Sequence, residues 1–566
     1  MNKKQDFVSN LIDGMTLEQK VGQCFVLGFV GTVLTPITLQ RIRRFFPAGI
    51  RTGVTLRSKT AHHDPYATSD KFAHRVARAP RGNAKDYKSG YINPTVTDAE
   101  YCSMLNRMKQ EALDNGLGIP LHIAFDSEGG YSCDYGLNGM KLFPAPMGIC
   151  KSGDKELANQ SAWAIGEQFK ALGFNWIHSP VLDVNTEPLN REISVRSYSE
   201  DQEEAAEYGE AAFEGFKQAG IITTGKHFPG RGASTSDAHH GLPVIDLPES
   251  ELRKHLVPFQ KLIDAGIPSI MTAHTAYPAL DPSGLAATLS KPILTDLLKN
   301  EMGFEGVVVS DDITMGGIVE KFEVADAIIT AINAGVDLIL FRDDSPLVEE
   351  VIPQVIEAVK DGRIKLERIE DALTRSLGVK YDYGVFENGN KMPVESASSG
   401  INNPKVKEIA EKAAKETTFI LRDSKNTLPI SSDKNILLIE QVPSLAAIIN
   451  QNHYHPGIMW RKFFELNEDV MSVEVDMDYS EEDRARVLDR VEEADVLVVT
   501  NFFGRRAGGG GNFVKELHEM KLGKPIVVIT NNPYPMTVSD EFETIVMTYA
   551  NSPEAYEVVA KITLSE

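Results

Sequence analysis

Over its first 380 residues the chain alternates short apolar, β-rich runs with longer stretches in which apolar residues recur at helical spacing. Eight runs are expected as strands: residues 23–29 (QCFVLGF), 48–56, 120–126, 175–181, 221–226, 268–274, 306–311 and 336–341. Among the intervening segments, 154–173 and 203–220 are amphipathic. Each ends on a glycine (Gly173, Gly220), the residue that most readily enters the left-handed conformation closing many helices. Eight strands alternating with helices predict a parallel α/β barrel of the TIM type, with an open doubly wound sheet as the alternative the same alternation permits.

Two stretches interrupt the rhythm. Residues 57–97 lack apolar periodicity, are rich in Lys, Arg and His, and follow the second expected strand, so they would emerge on the face where barrels place function. A binding loop and a solvated or oligomer-contacting insertion are equally compatible with that composition. Residues 383–404 are rich in Gly, Asn, Ser and Pro and read as a linker. Beyond it come an expected helix over 405–417 and apolar runs at 418–421, 435–440, 496–500, 525–530 and 544–549. The fold class expected is therefore α/β, a (β/α)8 TIM-type barrel over 1–382 followed by a smaller doubly wound α/β sandwich domain over 405–566. The tract GRRAGGGGN (504–512) lacks the Lys-Ser/Thr of a phosphate loop and is expected as a surface turn.

Charge narrows the partners. Lys and Arg number 58 against 80 Asp and Glu, a formal net charge of −22, which disfavours nucleic acid and anionic membrane surfaces. Four cysteines with no CxxC pair argue against a disulfide scaffold and a structural zinc site. With no signal-peptide pattern at the start and no apolar run near the ~20 residues that span a bilayer, a cytoplasmic location is expected.

Candidate chemistry is concentrated in two segments. GKHFPGRGASTSDAHHGLP (225–243) follows an expected strand and carries Asp237 two residues before His239; a carboxylate beside an imidazole fixes its tautomer and raises its basicity, giving a proton shuttle near neutrality. An exposed loop histidine would look the same in the sequence. GFEGVVVSDDITM (303–315) ends an apolar strand at Asp311-Asp312, with Asp311 expected to face the substrate and Asp312 the start of the next helix.

These segments resemble glycoside hydrolase family 3, in its β-N-acetylhexosaminidase branch. The resemblance is carried by KHFPGRG (226–232), DAH (237–239), IMTAH (270–274), PALD (278–281), ATLS (287–290) and GFEGVVVSD (303–311). It extends to DSEGG (126–130), FPAPMG (143–148), PVLDVNTEP (180–188) and RSY (196–198), and so covers most of residues 15–380; 410–430 is similar to the opening of the family's second domain. The resemblance implies a retaining mechanism on a β-linked sugar, with Asp311 as nucleophile, His239 as acid/base and Asp237 orienting it. It implies sugar-hydroxyl contacts from Asp126, Arg196, Lys226 and His227, and leaves Asp183 open between a structural role and substrate contact.

The expected activity is exo-acting hydrolysis of terminal β-linked N-acetylhexosamine from small glycosides. A β-glycoside phosphorylase or a β-glucosidase-type enzyme is the alternative within the family, and a non-catalytic sugar-binding protein the alternative outside it. Tyr131 and Asp134 stand where the branch usually carries arginines, and Ala238 where it carries Ser or Thr, which places the departures in sugar recognition. No cofactor and no metal is expected: His227, His239, His240 and His274 offer no pair at helical i, i+4 spacing. The partner expected is a small carbohydrate; a homodimer is left open, and the second domain is expected to be structural or dimerising.

Overall fold

The computed structural model describes residues 3–53, 96–133, 140–238, 241–442, 458–477, 479–504, 507–508 and 511–564. His239, His240, Asp134 and nearly all of the 57–97 insertion lie outside the described residues.

All eight expected barrel strands are present: β1 (Phe25–Val30), β2 (Gly49–Gly53), β3 (His122–Phe125), β6 (Trp176–Ile177), β7 (Ile222–Phe228), β8 (Ser269–Thr272), β9 (Val307–Val309) and β10 (Ile339–Leu340). A small hairpin, β4 (Ser127–Gly129) with β5 (Ser132–Cys133), rises directly from the end of β3. The eight strands pair in parallel in the order β10-β1-β2-β3-β6-β7-β8-β9, and a parallel bridge from Val309 to Leu338 closes the circle. This closure distinguishes a barrel from the open sheet.

Both strand faces are apolar, as parallel sheets buried on two sides require. Val26, Ala124, Trp176, Ile222, Met271, Val307, Val309, Leu338 and Leu340 form one cluster inside the barrel. Alternate residues such as Phe25, Leu27, Ile123, Phe125, Ile177, Ile270 and Val308 join the larger core under the helices. The helices Lys155–Leu172 and Gln202–Ala219 match their expected spans and end at Gly173 and Gly220, both left-handed. At the lower end of the barrel His122 packs against Trp176 with ring centroids 4.4 Å apart, and a Cβ on Gly49 would lie 2.2 Å from the His122 ring. Lys380 seals that end, donating to the carbonyls of Ala48 (2.7 Å) and Pro120 (2.9 Å); burial holds its ammonium pKa down to about 7.

Residues 387–401 form short helical turns with Ala397 and Ile401 buried, leading into the helix Pro404–Glu416. The second sheet comprises β11 (Thr418–Asp423), β12 (Ile436–Val442), β13 (Met471–Asp476), β14 (Val496–Thr500), β17 (Ile526–Thr530) and β18 (Thr544–Thr548), in the order β11-β18-β17-β14-β12-β13, with only β11 antiparallel. Alternate residues of its strands feed separate apolar layers on the two faces. β13 was not expected: its sequence, MSVEVD, alternates polar and apolar residues at an edge and lacks a continuous apolar run. The glycine tract differs from a plain surface turn, because β15 (Phe503–Gly504) and β16 (Ala507–Gly508) form a hairpin. Among the described residues no helix is long and apolar enough to cross a membrane.

The second domain packs on loops at the upper, C-terminal ends of the barrel strands. Ala145, Met147 and Val195 of the barrel join Tyr534, Met547 and Tyr549 in one buried cluster, and the Ala145 N–H donates to the Tyr549 carbonyl at 2.8 Å. Asn532 Nδ2 donates to Ser194 Oγ (2.7 Å), and the Tyr534 hydroxyl accepts from Asn185 (2.9 Å) while donating to Glu200 (2.9 Å). Ser194 sits at φ 46°, a left-handed conformation that disfavours residues with a Cβ and needs such external support. Asn532→Ala is expected to cost about 1–3 kcal/mol, the price of leaving a buried hydroxyl without its donor. Thermal unfolding should show a lower midpoint; an unchanged midpoint would contradict this account of the interface.

Candidate functional site

The polar residues that the apolar strands exclude from the core gather just beyond the strand ends. Asp126 follows β3, Glu128 lies in β4, Asp183 follows β6, Lys226 and His227 end β7, and Asp311 follows β9. β7 shifts register against β8 between Lys226 and Phe228. Such an irregularity re-aims side chains: the neighbours Lys226 and His227 both find carboxylate partners among these loops.

Lys226 bridges two carboxylates, with Nζ 2.8 Å from Asp126 and 2.6 Å from Glu128. Arg51, from the middle of β2, reaches the other oxygen of Asp126 at 2.6 Å. Arg196 holds Glu128 through two nitrogens, at 2.6 and 2.9 Å, the fork geometry that gives the strongest carboxylate pairing. Burial would raise the pKa of Asp126, but Lys226 and Arg51 outweigh it and hold the carboxyl well below its usual range. Glu128 is held down in the same way, by Arg196 and Lys226 against burial. Both acids are ionised at neutral pH.

A second group lies beside the first. Asp183 is fully buried; one oxygen accepts the Arg231 backbone N–H at 2.7 Å, and the other lies 2.7 Å from His227 Nδ1. Burial pushes Asp183 up to about 6, and burial together with Arg231 and Arg196 keeps the His227 imidazole neutral. The Arg231 loop passes so close to Val184 that a Cβ on Gly232 would come within 1.8 Å of its carbonyl oxygen, which explains the glycine. Arg231 Nη2 pairs with Glu192 at 2.8 Å and lies 3.7 Å from Asp311 Oδ2.

The structure thus brings Asp126, Arg196, Lys226 and Asp311 onto one face. Asp311 and Asp126 keep side-chain exposures of 16% and 20%, whereas Glu128, Asp183 and Glu192 are at 3% or less, so the first two are the carboxylates open to a ligand. His227 is only 2% exposed and is committed to Asp183. Asp183 therefore takes the structural alternative. Asp237 is half-buried, beside the buried Ala238. Asp312 does not start a helix as expected: it is buried, and its Oδ1 accepts from the Thr314 hydroxyl and N–H (2.8 and 3.2 Å), fixing the turn before Gly316–Val319.

Arg51, Glu128, Glu192 and Arg231 were not singled out by sequence reasoning. Arg51 left a signal, a charged residue inside an otherwise apolar strand. Phe503 of the second domain also reaches this rim: its ring packs edge-on against Tyr131 (5.7 Å) and under the Arg191 guanidinium (5.2 Å). Among the described residues no group of His, Cys, Asp and Glu is arranged to hold a metal ion.

Residues 72–379 match the family model described as the glycosyl hydrolase family 3 N terminal domain. The chain belongs to glycosyl hydrolase family 3. It is 32% identical over 366 residues to beta-hexosaminidase A of Pseudoalteromonas piscicida, an alignment covering 60% of this chain and 59% of that protein. It is 26% identical over 355 residues to a beta-N-acetylglucosaminidase/beta-glucosidase of Cellulomonas fimi, covering 61% of each. The matches thus span about three fifths of the length of these curated relatives. A family 3 beta-N-acetylglucosaminidase structure from a Paenibacillus species superposes with a TM-score of 0.81 at 25% identity, covering 97% of this chain and 98% of that one. The two-domain architecture is therefore shared along essentially the whole chain.

The buried imidazoles set the acid limb of stability. Burial lowers the pKa values of His122, His178 and His227, and takes His255 to about 4. An unfolded imidazole titrates near ~6.5, so below that pH the unfolded chain binds protons that these four groups refuse in the fold, and stability falls. Asp183, raised to about 6, and Glu440, raised by burial to about 7, oppose this, since their folded carboxyls take a proton before the unfolded ones do. Four groups against two predict a lower thermal midpoint at pH 5 than at pH 7.5; an equal or higher midpoint at pH 5 would contradict the neutral, buried assignment.

Proposed function

We propose that the protein is a retaining, exo-acting β-N-acetylglucosaminidase that releases terminal β-linked N-acetylhexosamine from small glycosides through a glycosyl-Asp311 intermediate. The observation that carries this reading is the partly exposed Asp311 at a strand end, facing Arg231 and adjoining the ionised Asp126–Lys226–Glu128–Arg196 network. An ion lattice whose open edge offers the Asp126 carboxylate can accept from sugar hydroxyls, and its charges are already paired before substrate arrives. The Asp311 carboxylate, 3.7 Å from the Arg231 guanidinium, attacks the anomeric carbon. His239, oriented by Asp237, then serves as acid towards the leaving oxygen and as base towards water, a pair of tasks suited to a group titrating near neutrality. The choice of sugar rests on the curated relatives, one named a beta-hexosaminidase and another a beta-N-acetylglucosaminidase/beta-glucosidase.

Two outcomes test this. Release of nitrophenol from the aryl β-N-acetylglucosaminide should fall at least ~10⁴-fold in Asp311→Ala, as expected when a covalent nucleophile is removed; retention within tenfold would overturn the assignment. Turnover should be the same with and without inorganic phosphate. Acceleration by phosphate, with sugar phosphate as product, would replace hydrolysis by phosphorolysis.

A further inference from the structure

Glu192 has no part in the chemistry proposed above, yet it touches both halves of it. It is buried in the loop between Asp183 and Arg196, with 3% exposure. Its Oε1 lies 2.8 Å from Nη2 of Arg231, the same nitrogen that lies 3.7 Å from Oδ2 of Asp311. Its Oε2 accepts the backbone N–H of Ala238 at 3.2 Å, between Asp237 and position 239.

The other side of the Ala238 peptide is held as well. The Ala238 carbonyl accepts the Gly317 N–H at 2.9 Å, and Gly317 lies so close to His274 that a Cβ there would come 2.9 Å from the His274 carbonyl oxygen. His274 Nε2 donates to the carbonyl of Asp312 at 2.9 Å, and the Asp312 N–H donates to Asp311 Oδ1 at 2.7 Å. The contacts close a ring that runs from Glu192 through Arg231, Asp311–Asp312, His274, Gly317 and Ala238 back to Glu192. One side of the ring is the nucleophile and the opposite side is the loop that presents Asp237.

Displacement at a sugar carbon requires attack on one side and protonation on the other at a set separation, and a misplacement of about 1 Å costs on the order of 10²-fold in rate. A buried carboxylate is retained only where its partners offset the loss of hydration. Glu192 spends one oxygen on each side of the reaction centre. We propose that Glu192 is a positioning residue that fixes the acid/base loop relative to Asp311. The inference rests on the assignment of Asp311 and of the Asp237–His239 pair made above.

The test compares kcat/KM for dinitrophenyl and phenyl β-N-acetylglucosaminides in the full-length enzyme. The dinitrophenolate leaves without a proton, whereas the phenolate needs one. In Glu192→Gln, kcat/KM on the phenyl substrate should fall ~10²-fold, the scale of general acid catalysis, and on the dinitrophenyl substrate less than about tenfold, with KM nearly constant. Glu192→Asp keeps the charge on a shorter arm; it should widen the ratio in the same direction by a smaller factor, and it serves as the test if the Gln variant does not fold. Equal losses on both substrates in a folded variant would overturn the positioning role alone. A wild-type enzyme inactive on both substrates would overturn the β-N-acetylglucosaminidase reading on which this inference rests.

Discussion

Lys226 between Asp126 and Glu128 is the contact on which the site depends. The lysine is 3% exposed, and its partners come from the end of β3 and from the hairpin that β3 extends into. Burying an ion costs several kcal/mol, and breaking such a pair costs about 3–5 kcal/mol because the remaining charge is left uncompensated. No member of the set can be altered alone: Lys226 needs both acids, Glu128 also needs Arg196, and Asp126 also needs Arg51. The network therefore ties β2, β3, β7 and the 183–199 loop together at one end of the barrel. It is assembled by the same strand pairing that builds the apolar core below it, so the site is rigid before any ligand enters.

The second domain takes part in that rigidity. Asn532 and Tyr534 hold Ser194 and Asn185 on either side of the segment that leads to Arg196, and Phe503 packs against Tyr131 at the rim. The second domain, expected to be structural or dimerising, thus contacts the loops that carry Arg196 and Tyr131. Its contacts fall on a backbone segment whose left-handed Ser194 would be costly without them.

Much of this was legible in the sequence, for identifiable reasons. Barrel strands buried on both faces read as continuous apolar runs, so all eight could be placed; β13, an edge strand with alternating polarity, could not. Asp311 stood out as a carboxylate directly after an apolar strand, whereas Asp126, Arg196 and Lys226 were marked only by the motifs shared with the family. Arg51, Glu128, Glu192 and Arg231 were less legible, because an ion-pair partner is defined by contacts across the fold: Arg51 and Asp126 are 75 positions apart, Glu128 and Arg196 are 68. His227 was marked by the family motif as a sugar contact; the partner of its Nδ1, the buried Asp183, lies 44 positions away and is invisible to spacing.

The central claim is that the open carboxylate beside this network becomes bonded to the sugar. Incubating the enzyme with a fluorinated N-acetylglucosaminyl fluoride that slows turnover of the intermediate, followed by peptide mass spectrometry, reads this directly. The account predicts one added glycosyl mass on the peptide carrying Asp311. A label on a different residue, or release of fluoride with no covalent adduct on that peptide, would contradict it.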